Sequence, residues 1–128
     1  MACILIVDDE PSIVLLMRLI LEKMGHQVEE SHNGQEALIR LGVVPLDASA
    51  ALPDLVLLDI MMPIIDGFAV AAAMSENPAT AGVPILIVTA KGDMRPLFAA
   101  MPQVAGFFQK PFDPAALRAA VSKATALK

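Results

Sequence analysis

Branched apolar residues fill Cys3-Ile4-Leu5-Ile6-Val7 without a break, and the stretches Leu55 to Leu58 and Pro84 to Val88 repeat the pattern. Continuous runs of this length are strands buried on both faces. Between them the period lengthens. Ile13, Leu16, Met17, Ile20, Leu21 and Met24 recur at three- and four-residue steps, which makes a helix stripe. Pro11 near its start and Gly25 just past its end are the usual punctuation of such a helix. Gln27 to Ser31 reads as a shorter, more polar strand at an edge. Asn33-Gly34 reads as a turn, and Gln35 to Leu41 as a second helix ended by Gly42. Phe68 to Met74 predicts a third helix. Asp93 to Met101 predicts a fourth, in which Pro96 is tolerable only in the first turn. Ala105 to Phe108 is a last strand, and Pro114 to Ala126 a closing helix with Leu117, Val121 and Ala124 turned inward. Five strands alternating with five helices imply right-handed crossovers and a parallel sheet covered on both faces, a doubly wound α/β domain. Val43 to Pro53 is a long connection for this class and reads as a surface insertion.

Composition narrows the setting. The 128 residues suit one domain with one well-formed core. Apolar residues make up 56% of the chain, which argues against disorder. Mean hydropathy is +0.65, yet no stretch approaches the ~20 uninterrupted apolar residues of a membrane span. The apolar residues after the N-terminus run into Asp8-Asp9-Glu10 with no basic lead, unlike a signal peptide. The single cysteine, Cys3, excludes an internal disulfide framework and is expected to pack in the core. A net charge of −5 with no basic stripe argues against direct nucleic-acid binding. A cytoplasmic location and no membrane contact are expected.

One feature resists this bland description. The run "DLVLLDIMMP" carries Asp59 at its end, where a carboxylate is costly to bury without partners. In a parallel sheet the C-terminal strand ends share one edge, where ligands of open α/β sheets bind. Those ends carry Asp8-Asp9, Asp59, Thr89-Ala90 and Gln109-Lys110-Pro111. Three neighbouring carboxylates repel one another unless a cation intervenes. A hard, oxygen-only cluster without His or Cys suits Mg²⁺. An aspartate beside such an ion can attack phosphorus and form an acyl phosphate. Lys110 can pair with the phosphoryl oxygens and the Thr89 hydroxyl can donate to another. Met61 and Met62 are packing residues, since thioethers suit soft metals, and His26 and His32 lie in polar surface contexts.

The motifs "ILIVDDEP", "NGQEAL", "PDLVLLDIMMPIIDG", "PILIVTAKGD" and "GFFQKPF" together resemble the receiver domain of two-component response regulators, over essentially the full length. The resemblance is to a stand-alone, chemotaxis-regulator-like receiver. It implies a flavodoxin-like five-stranded sheet of order 2-1-3-4-5 and a single domain over residues 1–128 without an output domain. It implies that Asp59 is the phosphoacceptor and that Asp8, Asp9, Asp59 and the Met61 backbone carbonyl hold Mg²⁺, for which Mn²⁺ could substitute. Lys110 would pair with the acyl phosphate, Thr89 would be the switch hydroxyl, and Phe107 the aromatic that rotates with it. The Lys110–Pro111 bond would be cis. Expected partners are a sensor histidine kinase or histidine phosphotransfer protein, and a downstream protein target met through the fourth helix, fifth strand and fifth helix. The domain would promote only its own phosphorylation and dephosphorylation rather than act as an enzyme.

Departures sharpen the expectation. Phe107 replaces a common tyrosine, and Ile65 a common methionine. Met61 and Lys91 flank the phosphoryl position; Met61 cannot position an attacking water, so slow hydrolysis is expected. The Pro-rich stretch "RPLFAAMPQVAG" predicts a short helix before the last strand. Three rival readings each lack a feature or leave one unexplained. A haloacid-dehalogenase-type phosphatase needs a second acid where Met61 stands. A flavodoxin-like cofactor binder needs a Ser/Thr/Gly-rich loop where "DDEPS" stands. A degenerate receiver used as an interaction module would not need the intact set Asp8, Asp9, Asp59, Thr89 and Lys110.

Overall fold

The computed structural model describes residues 1–90, 92 and 95–126. Strands β1 (Cys3–Val7), β2 (Gln27–Ser31), β3 (Leu55–Leu58), β4 (Ile85–Thr89) and β5 (Val104–Gln109) form one sheet in the order β2-β1-β3-β4-β5. Every pairing is parallel. Helices α1 (Pro11–Lys23), α2 (Gly34–Arg40), α3 (Gly67–Glu76) and α4 (Pro114–Thr125) cover it.

Side-chain alternation along β1 shows how the sheet is sealed. Leu5 and Val7 join Ala37, Leu38, Val70, Ala71 and Met74 from α2 and α3 on one face. Ile4 and Ile6 join Val14, Met17, Leu21, Leu117 and Val121 from α1 and α4 on the other. All four residues of β3 are fully buried, as its uniform apolar sequence requires of a central strand. β2, at the edge, alternates exposed and covered positions. The chain ends α1 and α2 with Gly25 and Gly42 at φ of +91° and +72°, a left-handed conformation that glycine adopts without Cβ strain.

Two expectations need correction. The segment from Asp93 to Met101 holds, among the described residues, a single 3₁₀ turn at Arg95–Phe98 instead of a fourth α-helix, so four α-helices rather than five are described; Asp93 and Met94 lie outside the described residues. Pro96 forces the start and Pro102 bars Met101 from helical geometry, so too few residues remain between them to offset helix nucleation. Cys3 is only partly buried. Its thiol sits near Glu29, Arg40 and Asp54, and burial followed by the Glu29 charge pushes its pKa up, away from the reactive thiolate.

The 43–53 connection is built of turns. Arg40 ties it down by donating to the Ala51 carbonyl while pairing with Glu29 on β2. It leaves Val44 and Leu46 in solvent.

Candidate functional site

The C-terminal ends of β1, β3, β4 and β5 meet along one edge, and each delivers a polar group. Asp8 follows β1, Asp59 follows β3, Thr89 ends β4, and Lys110 follows β5. Asp8, Asp59 and Thr89 are among the few buried polar residues of a largely apolar interior. Backbone register fixes them. Asp59 donates its N–H to the Val7 carbonyl at 2.9 Å, and Lys110 donates its N–H to the Thr89 carbonyl at 2.8 Å. The Lys110–Pro111 peptide is cis, as the resemblance implied.

The Lys110 ammonium is the hub. Its Nζ lies 2.6 Å from Glu10 Oε1, 2.8 Å from Asp8 Oδ2 and 3.5 Å from Asp59 Oδ2. One oxygen each from Asp8, Glu10 and Asp59 lies within 4.8 Å of the others. The Asp8 contact is an ion pair without hydrogen-bond alignment, and Asp8 Oδ2 is a buried oxygen with no hydrogen-bond partner. Asp8 Oδ1 accepts from the Glu10 N–H at 2.9 Å, and Asp59 Oδ1 from the Met61 N–H at 3.3 Å.

Electrostatics follow from this crowding. Burial, opposed by Lys110, raises the Asp8 pKa. Burial and then the neighbouring Asp8 charge raise that of Asp59. Burial alone would lower the Lys110 pKa, but the contacts with Asp8 and Glu10 outweigh it and hold the pKa above its ordinary value. Two buried carboxylates share one ammonium, so the pocket keeps an excess of negative charge. An oxygen-only set holding more carboxylates than its one ammonium balances suits a hard divalent cation, so the acidic cluster Asp8, Glu10 and Asp59 fits a Mg²⁺ site.

Loop geometry brings the supporting pieces close. Asp66 caps α3 by accepting from the Ala69 N–H at 2.8 Å. Gly67 donates to the Ile60 carbonyl at 2.9 Å. A Cβ at Gly67 would overlap the Asp59 carbonyl oxygen and come within 2.7 Å of Ile60 Cα, so only glycine lets α3 begin here. Ile64, at the turn between them, has φ of 69° and a fully solvent-exposed side chain. A β-branched residue is rarely found in that conformation.

The other expected residues fall as follows. Asp9 is exposed and is not one of the three clustered carboxylates. Met61 is half-exposed beside the pocket. Phe107 is partly buried, its ring 5.9 Å from that of Phe98, which lies 5.5 Å from Phe68. Lys91 lies outside the described residues. Sequence reasoning missed Glu10. It occupies the N-cap position of α1 yet makes no side-chain cap hydrogen bond, because its carboxylate goes to Lys110. The signal was present: glutamate is a poor N-cap residue, and Pro11 already marks the helix start.

Comparison with known proteins agrees with this geometry. Residues 4–122 match the response regulator receiver domain family. The chain is 38% identical over 91 residues to PilH of Pseudomonas aeruginosa, covering 71% of this chain and 69% of that protein. It is 42% identical over 90 residues to the transcriptional regulatory protein ResD of Bacillus subtilis, covering 70% of this chain but 33% of ResD. The match to the response regulator PleD of Caulobacter vibrioides, 33% identical over 130 residues, takes in 99% of this chain and 27% of PleD. Among solved structures, the chemotaxis protein CheY4 of Vibrio cholerae superposes with a TM-score of 0.83 at 28% identity, covering 97% of this chain and 98% of that one. A signal receiver domain of a histidine kinase from Syntrophus aciditrophicus gives a TM-score of 0.81 at 30% identity, covering 98% and 91%. The converging carboxylates and lysine, the β2-β1-β3-β4-β5 sheet and the match over residues 4–122 make this chain a member of the response regulator receiver domain family, the phosphoacceptor switches of two-component signalling.

Proposed function

We propose that Asp59 accepts a phosphoryl group from a phosphohistidine on a sensor kinase or phosphotransfer protein. The observation that carries this is the placement of its buried carboxylate 3.5 Å from the Lys110 ammonium and next to Asp8. An Asp59 oxygen attacks phosphorus, the O–P bond forms as the donor's N–P bond breaks, and the imidazole leaves with the electron pair. β3 holds the nucleophile on a rigid, fully buried element, which limits its positional freedom at the moment of attack. Lys110 meets the phosphoryl oxygens as a point charge.

Asp8, Asp59, Asp9 and the Met61 backbone carbonyl are the groups proposed to hold Mg²⁺. Mg²⁺, when bound, supplies the positive charge that keeps these carboxylates ionised and neutralises phosphoryl oxygens. Thr89 and Phe107 are proposed to report the new charge, with the Thr89 hydroxyl drawn toward the phosphoryl group and the ring of Phe107 repacking against Phe98. The downstream protein would read the state on the surface formed by the Arg95–Phe98 turn, β5 and α4. The exposed leucines Leu15, Leu16 and Leu19 of α1, a helix that starts directly after Glu10, offer the donor an apolar footing. Receiver domains are generally switches rather than enzymes, and no second acid stands at Met61 to drive phosphatase turnover.

The test is incubation with Mg²⁺ and acetyl phosphate followed by intact mass measurement. Wild-type protein gains one phosphoryl adduct and Asp59→Asn gains none. Equal labelling of the two would refute the assignment.

A further inference from the structure

The Lys110 ammonium has three N–H donors and three carboxylate neighbours. A phosphoryl group on Asp59 adds further anionic oxygens to the same place. Phosphorylation also turns the Asp59 carboxylate into an acyl linkage, so the ammonium is drawn toward the phosphoryl oxygens, and burial decides which remaining partner it leaves. The side chains of Asp8 and Asp59 are 1% and 2% exposed, so water cannot solvate either if the ammonium leaves. Glu10 is 52% exposed and is rehydrated at little cost. It makes the shortest of the three contacts, at 2.6 Å, yet as the exposed partner it is the one released at least cost. Its side chain is free for this task because it makes no cap hydrogen bond to α1.

We propose that Glu10 is a resting-state latch: it holds Lys110 until the phosphoryl group forms, and the ammonium then exchanges Glu10 for a phosphoryl oxygen. The inference rests on Asp59 being the phosphoacceptor. Glu10 is thus a positioning residue acting through Lys110. The latch joins the loop after β1 to the loop after β5, so its release unties two connections that lie 100 residues apart in the chain. Phosphorylation has to overcome this contact, which sets a threshold on how readily the switch turns on.

The experiment compares wild type, Glu10→Gln and Glu10→Ala at saturating Mg²⁺ with acetyl phosphate, following adduct formation by mass. Both variants are expected to label about 2- to 5-fold faster than wild type, the range for loss of a partly exposed ion pair. In the resting protein both variants should also move the Lys110 ¹⁵Nζ resonance while leaving those of Lys23 and Lys123 in place. A purely structural role for Glu10 at the start of α1 would not produce that signature. Unchanged rates with an unmoved Nζ resonance would overturn the latch. So would a loss of Mg²⁺ affinity of tenfold or more with no faster labelling, which would make Glu10 a metal ligand instead. Failure of wild type to label at all removes the phosphoacceptor reading and the latch with it, whereas a labelled wild type with indifferent variants removes the latch alone.

Discussion

Lys110 hangs from Thr89: its backbone N–H donates to the Thr89 carbonyl at 2.8 Å, so the lysine and the residue proposed as the switch share one peptide hydrogen bond. That bond needs no side chain at position 89. Thr89→Ala is therefore expected to keep Lys110 in place and to label with acetyl phosphate within a few-fold of wild type. What it should lose is the response: the ring resonances of Phe107 shift on phosphorylation in wild type and stay put in the variant. Loss of labelling in Thr89→Ala would show instead that the hydroxyl takes part in the transfer.

Asp59→Asn should stabilise the metal-free protein. The pKa of Asp59 is raised in the folded state by burial and by Asp8. The folded state thus binds the proton more tightly than the unfolded chain, whose carboxylate titrates near 4. Stability from this group is present below the unfolded value and is lost as pH rises through the raised folded value. Removing the charge recovers it, and at ~4 °C per kcal/mol for a domain of this size the Tm should rise by a few degrees at neutral pH. The advantage should shrink as pH approaches 4. Thermal unfolding of both proteins from pH 4 to 8 without divalent ions measures it; a Tm below wild type throughout would contradict it.

Lys110→Ala should do the opposite. Removing one partner of a buried ion pair typically costs about 3–5 kcal/mol, because the charges left behind have no compensation. Here Asp8 and Asp59 remain, both buried. Adding Asp59→Asn in the same chain should restore part of the loss, giving a non-additive double-mutant cycle. Mg²⁺ should raise the Tm of Lys110→Ala more than that of wild type, since it supplies the missing positive charge. Additive single and double variants would mean that Lys110 and Asp59 are not coupled.

Gly67→Ala should destabilise the protein by about 1–3 kcal/mol or more, the range for overpacking against a fixed neighbour. The obstacle is the backbone at Asp59 and Ile60, which cannot step aside as a flexible side chain would. The same shift would move the nucleophile, so labelling should fall along with Tm. Gly82, whose added Cβ meets nothing within 4 Å, is the control: Gly82→Ala should leave labelling unchanged.

Much of this was legible from residue pattern. β3 was the plainest, because a short apolar run such as Leu55 to Leu58 within an alternating β/α pattern reads as a strand buried on both faces, and it is one. Asp59 was legible for the same reason, a carboxylate set where the surrounding run permits none without partners. The Asp93–Met101 helix was misread because apolar spacing alone says nothing about nucleation, and two prolines leave too short a span between them. Glu10 was overlooked because an acid at the mouth of a helix has an ordinary explanation. Only the distance to a lysine 100 positions away removes that explanation, and no local window contains it.

That separation also orders events in time. β1 and α1 are made before β5, so the lysine that completes the pocket follows them, just after the strand that pairs with β4 at the sheet's far edge. Contacts between segments far apart in sequence form late, since the intervening loop has to close before they contribute. A nascent or partly folded chain holds Asp59 without Lys110 beside it. The pocket is therefore assembled only when β5 has docked on β4, and Asp59 meets Lys110 only in the folded domain.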